Sequence, residues 1–81
     1  MQLLSMRKMK PKQSGIVAAV SAKGELGRRI RDMGLVPGTH VTIQGRAPLY
    51  DPVVLRLMGF TLTLRNSEAD YIDVEVDEWK P

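Results

Sequence analysis

The sequence predicts a small, mainly β fold: a barrel of about five short strands, with one α-helix after the first strand and a short helical turn before the last. Three observations carry this. Apolar and polar residues alternate in several short runs, the period of half-buried strands. Only one segment, KGELGRRIRDMGL at 23–35, has helical spacing. Glycine, proline, asparagine and aspartate punctuate the chain between these runs, as tight turns require.

Taken in order, SGIVAAV (14–20) reads as the first strand, opened by the turn-like KPKQSG. In the helical segment Leu26, Ile30 and Met33 fall at i, i+4 and i+7, which makes one apolar stripe. Glu25 precedes Arg28 and Arg29 by three and four residues, the favourable order for ion pairs within a helix. Gly24 and Gly27 ease the helix entrance. Gly34 is the natural left-handed residue after the last turn. Pro37-Gly38 fits a type II turn, with proline presetting φ and glycine taking the positive φ. THVTIQG follows as a strand with Val41 and Ile43 inward. APLYDP, with two prolines and an aspartate, is a loop. PVVLRLMGFTLTLR reads as a hairpin: Val53, Leu55 and Leu57 face one way, Gly59-Phe60 turns, and Leu62 and Leu64 return. NSEADY is a helical turn capped by Asn66 or Ser67. IDVEVDE closes with Ile72, Val74 and Val76 inward and Asp73, Glu75 and Asp77 outward.

The 81 residues suffice for one small domain with a modest core. There is no cysteine, so disulfides, Cys-based zinc sites and iron–sulfur clusters are excluded. No apolar run approaches the roughly 20 residues of a membrane span, and MQLLSMRKMKPKQSG lacks the apolar region of a signal peptide. A cytoplasmic protein is expected. Its net charge of +3 conceals a gradient. Residues 1–31 hold eight Lys and Arg against Glu25 alone, whereas residues 66–81 hold six acidic residues against Lys80. Ends of opposite sign stabilise a closed fold by lying side by side, or mark separate partner surfaces. The first reading is favoured, since first and last strands of a small barrel are often neighbours.

Little in the chain points to catalysis or metal. His40 is the one histidine, on the polar side of its strand, and reads as a solvated residue. Asp73, Glu75 and Asp77 share a face, but neighbours along it stand about 6.5–7 Å apart, too far to chelate one ion tightly. Ser14, Ser21 and Ser67 have no evident base beyond His40. Gly24-Glu25-Leu26-Gly27-Arg28 lacks the GxxxxGK[ST] of a phosphate-binding loop. No enzyme, resident cofactor or metal site is expected. Arg28, Arg29 and Arg31 flank the apolar stripe and leave three readings open: a solvated helix face, a grip on a protein partner, or an RNA contact. A basic barrel can bind RNA phosphates. Tyr50, Phe60, Tyr71 and Trp79 are scattered without basic interleaving, which argues against nucleic acid and leaves it as the alternative.

RRIRDMGLVPGTHVTI (28–43) followed by APLYDPVVLRLMGFTLTLRNSEADYIDV (47–74) resembles the FeoA family, ferrous iron transport protein A. The resemblance spans roughly residues 14–76. It rests on the basic helix ending in Met33-Gly34-Leu35, the Pro37-Gly38 turn, the Ala47-Pro48…Asp51-Pro52 loop, the Leu62–Arg65 strand and the Glu68-Ala69 step. Two positions depart from the family's common pattern. Pro11-Lys12 stands where Pro-Gly is usual, with Ser14-Gly15 expected to supply the first turn instead, and Tyr50 stands where glycine is usual. The resemblance implies an SH3-like β-barrel without catalytic residues. It also implies a partner, FeoB, the membrane protein with a cytoplasmic GTPase domain that imports ferrous iron. The protein would then work at the inner face of the membrane through that partner, without inserting. Arg28, Arg29 and Arg31 on the helix, and Pro48, Tyr50 and Asp51 on the proline loop, are the candidate partner-binding residues. Self-association, and a metal shared between chains through His40, are left open.

Overall fold

Alternating runs become strands almost wherever the sequence places them, in a computed structural model that describes residues 2–46 and 51–76. β1 spans Gln2–Ser5 and leads into a 3₁₀ turn over Met6–Lys8. β2 (Ser14–Val20), α1 (Gly24–Asp32), β3 (His40–Arg46), β4 (Val53–Leu57), β5 (Phe60–Leu64), α2 (Asn66–Ala69) and β6 (Ile72–Val76) follow. All neighbours are antiparallel, in one sheet of order β1-β6-β2-β3-β4-β5.

The sixth strand is β1, which the sequence does not announce. QLLS has no alternation, and only its pairing with β6, from Gln2 opposite Val76 to Ser5 opposite Asp73, orders it. The remaining strands match expectation, with their inward residues in one continuous core. Register shifts between Val17 and Ala19 in β2, and between Ile43 and Gly45 in β3, bend those strands around it. Ile30 of α1 is fully buried, while Leu26 and Met33 pack on the core's margin. Burying a side chain like Ile30 contributes about 1.5–3 kcal/mol, so the helix is held by its stripe. Met6 and Met9 plug the core from the 3₁₀ turn.

Helix stop and turn behave as the spacing predicts. Gly34 and Gly38 take φ of 99° and 97°. The Thr39 amide donates to the Val36 carbonyl at 3.0 Å across Pro37-Gly38.

Three local expectations are corrected. The β4–β5 turn is Met58-Gly59, not Gly59-Phe60. Leu57 pairs with Phe60, and both turn residues have positive φ, 47° and 84°, a combination whose twist suits a two-residue hairpin. Ser14 and Gly15 lie within β2, so the first turn falls earlier. There the Gln13 amide donates to the Lys10 carbonyl at 3.0 Å, and Lys12 takes φ 72°. Asn66 opens α2 rather than capping it. The cap position is Arg65, whose amide donates to Glu68 Oε1 at 3.0 Å.

Candidate functional site

Helix periodicity puts the three arginines of α1 outside the Leu26–Ile30–Met33 stripe, and all three are exposed. They do not form one patch. Arg28 and Arg29 share a shallow hollow of about 470 Å³ with Glu25, Leu26 and Asp32. Arg31 folds back along its own helix, its Nη1 3.1 Å from where a Cβ on Gly27 would stand. Among the described residues the ion pair of Arg29 is with Glu68 of α2, not with Glu25 as the helix spacing favours. The pair sits at the mouth of a second hollow, about 580 Å³, between α1 and α2, where Arg65 and Tyr71 also contribute. A second pair, Arg7 to Asp70 at 2.8 Å, ties the 3₁₀ turn to the end of α2. Both pairs join the basic first half of the chain to its acidic last part.

Of the loop candidates, Pro48 and Tyr50 lie outside the described residues. Asp51 accepts a hydrogen bond from the Asn66 amide at 2.9 Å, which satisfies one of the free donors at the start of α2. Its position is thereby fixed by the helix it caps.

Two features escaped the sequence. Arg46, at the end of β3, donates to the carbonyls of Met9 at 2.9 Å and Met6 at 3.0 Å, to that of Arg7, and to Asn66 Oδ1 at 3.0 Å. It clamps the 3₁₀ turn to β3 and α2. No motif signals this, because its partners are mostly backbone atoms brought together by the fold. The other feature is a cleft of about 540 Å³ between the Pro37-Gly38 turn and the β4–β5 hairpin, with His40, Thr42, Arg56 and Met58 in its walls. Met58 is 69% exposed at the hairpin tip. The signal available in the sequence is Met58 beside Gly59, between two apolar–polar alternating runs.

His40 is exposed on β3, and among the described residues no three His, Cys, Asp or Glu side chains converge as a metal site. The Ser14 hydroxyl is hydrogen-bonded to that of Thr42 at 2.9 Å, and the Ser21 hydroxyl donates to the Tyr71 carbonyl at 3.2 Å. No helix among the described residues is long and apolar enough to cross a membrane.

The FeoA domain family matches residues 4–76, nearly the whole chain. The chain belongs to the FeoA family. Its structure superposes on a FeoA-like protein from Clostridium acetobutylicum with a TM-score of 0.85 and 39% identity, over 94% of this chain and 88% of that one. It superposes on FeoA from Stenotrophomonas maltophilia, a procaryotic SH3 domain protein complexed with zinc, with a TM-score of 0.75 and 27% identity, over 91% and 89%. The fold of this FeoA chain is therefore SH3-like. The Fe(2+) transport protein A/Fe(2+) transporter FeoB fusion protein of Porphyromonas gingivalis is 38% identical over 61 residues, 75% of this chain. This chain spans only 7% of the length of that relative.

Proposed function

We propose that this FeoA domain is a small cytoplasmic accessory protein of ferrous iron uptake, a protein-interaction module that acts on a FeoB membrane transporter and its GTPase domain. One observation carries the reading: in Porphyromonas gingivalis a similar domain is joined to the transporter in one polypeptide. Covalent fusion holds two modules at a high effective concentration, an arrangement suited to domains that work on one another. The reading is non-catalytic, in keeping with the Ser14 and Ser21 hydroxyls being engaged in structural hydrogen bonds. The exposed arginines Arg28, Arg29 and Arg31, and the 47–52 loop with Pro48, Tyr50 and Asp51, are the candidate contacts.

The test is co-purification from native membranes, followed by binding of the purified cytoplasmic part of the transporter. Recovery of a polytopic GTPase-bearing protein is expected. Arg28→Ala with Arg29→Ala should weaken binding modestly, and less at high salt, because exposed charges act mainly on association rate. Salt-steep binding of single-stranded RNA without any transporter binding would overturn the reading.

A further inference from the structure

The sheet has two ends, and they are electrically unlike. β6 carries Asp73 and Glu75 on its outer side, and β1 pairs with it so that Leu3 and Ser5 stand beside these carboxylates. At the other end, β3, β4 and β5 contain no acidic residue at all. Their outer face includes His40, Thr42, Gln44 and Arg56, with Thr61 and Thr63 on β5 and the half-buried Val54 opposite Thr63.

Among the described residues β5 pairs only with β4. Proteins usually guard such an edge with lysine, proline, a bulge or extreme shortness. β5, FTLTL, has none of the first three: it holds no charge and no proline, and its register with β4 is regular through all five pairs. Its geometry also identifies the free groups. Leu57 and Phe60 close a two-residue hairpin as a hydrogen-bonded pair, and such pairs alternate with non-hydrogen-bonded ones. Thr61 and Thr63 fall in the alternate set, so their N–H and C=O groups point to the open edge.

We propose that the edge of β5 is a docking site for an extended segment of a partner protein in which acidic and apolar residues alternate, added as a further strand. A partner residue opposite Thr61 would lie two strand spacings, about 9–10 Å, from the Arg56 backbone. Arg56 is opposite Thr61 on β4 and exposed, with no acidic residue on its strand or the two beside it, so it is the cation nearest an acidic group placed there. The alternate partner residues would turn to the inner side, beside Leu62 and the 44% exposed Phe60. β1 is the poorer edge for such a segment, because Glu75 and Asp73 would repel it from one strand away. The inference deepens the reading of this chain as a docking module and rests on it for the identity of the partner.

The test uses the full chain, ¹⁵N-labelled, with two synthetic nonapeptides, one alternating glutamate and valine and one alternating lysine and valine. The acidic peptide is expected to slow amide exchange at Thr61 and Thr63 by roughly tenfold or more, and the basic peptide to leave it unchanged. Arg56→Glu should weaken acidic-peptide binding on the order of tenfold, with salt sensitivity lost. Thr63→Pro, which removes one outward donor, and Thr63→Lys, which retains the ladder to β4, should both weaken it while melting close to wild type.

Absent or equal protection with the two peptides would overturn the proposal. So would protection that grows with protein concentration alone, the sign of a second copy on the edge, or protection by a single-stranded RNA and not by peptide. The cytoplasmic part of the transporter separates the two readings. If it binds wild type and the Arg56→Glu, Thr63→Lys double variant equally, the edge assignment fails and the transporter reading stands. If it binds neither while the acidic peptide still protects Thr61 and Thr63, the edge stands and the transporter reading fails.

Discussion

Two turns in this chain share one geometry and differ in the residue placed at the left-handed position, so substitutions in them should have opposite signs. In Val36–Thr39 the second residue is Pro37 and the third is Gly38 at φ 97°. In Lys10–Gln13 the second is Pro11 and the third is Lys12 at φ 72°. Both are closed by a bond of 3.0 Å from the fourth amide to the first carbonyl. Left-handed backbone costs an L-residue about 1–2 kcal/mol. Glycine escapes that cost but gives up about 0.4–1 kcal/mol in unfolded-state entropy. The balance is about 0.5–1 kcal/mol. Space does not complicate the comparison, since a Cβ on Gly38 would meet nothing within 4 Å and Lys12 is exposed. Gly38→Ala should therefore destabilise by about 0.5–1 kcal/mol, and Gly38→Val by about 1 kcal/mol or more because its β-branch resists positive φ. Lys12→Gly should stabilise by about 0.5–1 kcal/mol. In a domain of this size about 1 kcal/mol moves Tm by roughly 4–8 °C, so thermal melts resolve each change. The Lys12→Gly, Gly38→Ala double variant should return close to the wild-type midpoint if the turns are independent. Equal signs for the two single substitutions, or unchanged midpoints, would refute the shared turn geometry.

Arg46→Met should destabilise by about 2–4 kcal/mol, because removing a charged donor also strands the carbonyls it served; chemical denaturation measures the loss. Gly15→Ala should cost more than about 2 kcal/mol or abolish folding, since its Cβ would stand 2.4 Å from the Glu75 carbonyl oxygen and 2.6 Å from Val74 Cγ1; circular dichroism with a melt reports it. The isolated protein should retain no Fe(II) or Zn(II) in a closed monomeric site after dialysis, as elemental analysis would show, and one equivalent retained per chain would contradict this.

What the sequence discloses and what it conceals follow from the range of the interactions. The apolar stripe of α1, the alternation of β3, β4 and β6, and the Pro37-Gly38 turn are local patterns, and each appears at its expected place. β1 is different: QLLS has no pattern of its own, and its partner β6 lies some seventy residues away in the chain. The hairpin turn falls one residue before the Gly59-Phe60 that the sequence predicts, because the register of Leu57 with Phe60 demands left-handed backbone from Met58 as well as Gly59. At the candidate site, sequence spacing correctly exposed Arg28, Arg29 and Arg31. It could not foresee that Arg29 would reach to Glu68 or Asp51 to the Asn66 amide, because both partners come from elsewhere in the fold. Arg46 and the cleft beside Arg56 are invisible for the same reason.

The charge gradient along the chain shows how these facts bear on docking. Its two ends meet in the fold, through Arg7 with Asp70 and Arg29 with Glu68. The exposed Arg7–Asp70 pair contributes about 0–1 kcal/mol and does little for stability, whereas Glu68, 14% exposed, is held more firmly by Arg29. Both pairs also decide what charge is left to offer a partner. Arg29 presents part of a neutral pair, and Arg28 shares its hollow with Glu25 and Asp32. Arg56 belongs to neither end of the gradient, and no acidic residue shares its strand or the two beside it. A contact through α1 would thus meet charge already balanced within the fold, whereas one along β4 and β5 would meet charge without an opposing neighbour in the sheet. Reversing Arg28 and Arg56 one at a time, with the salt dependence of transporter association read for each, assigns the steering charge to one element or the other.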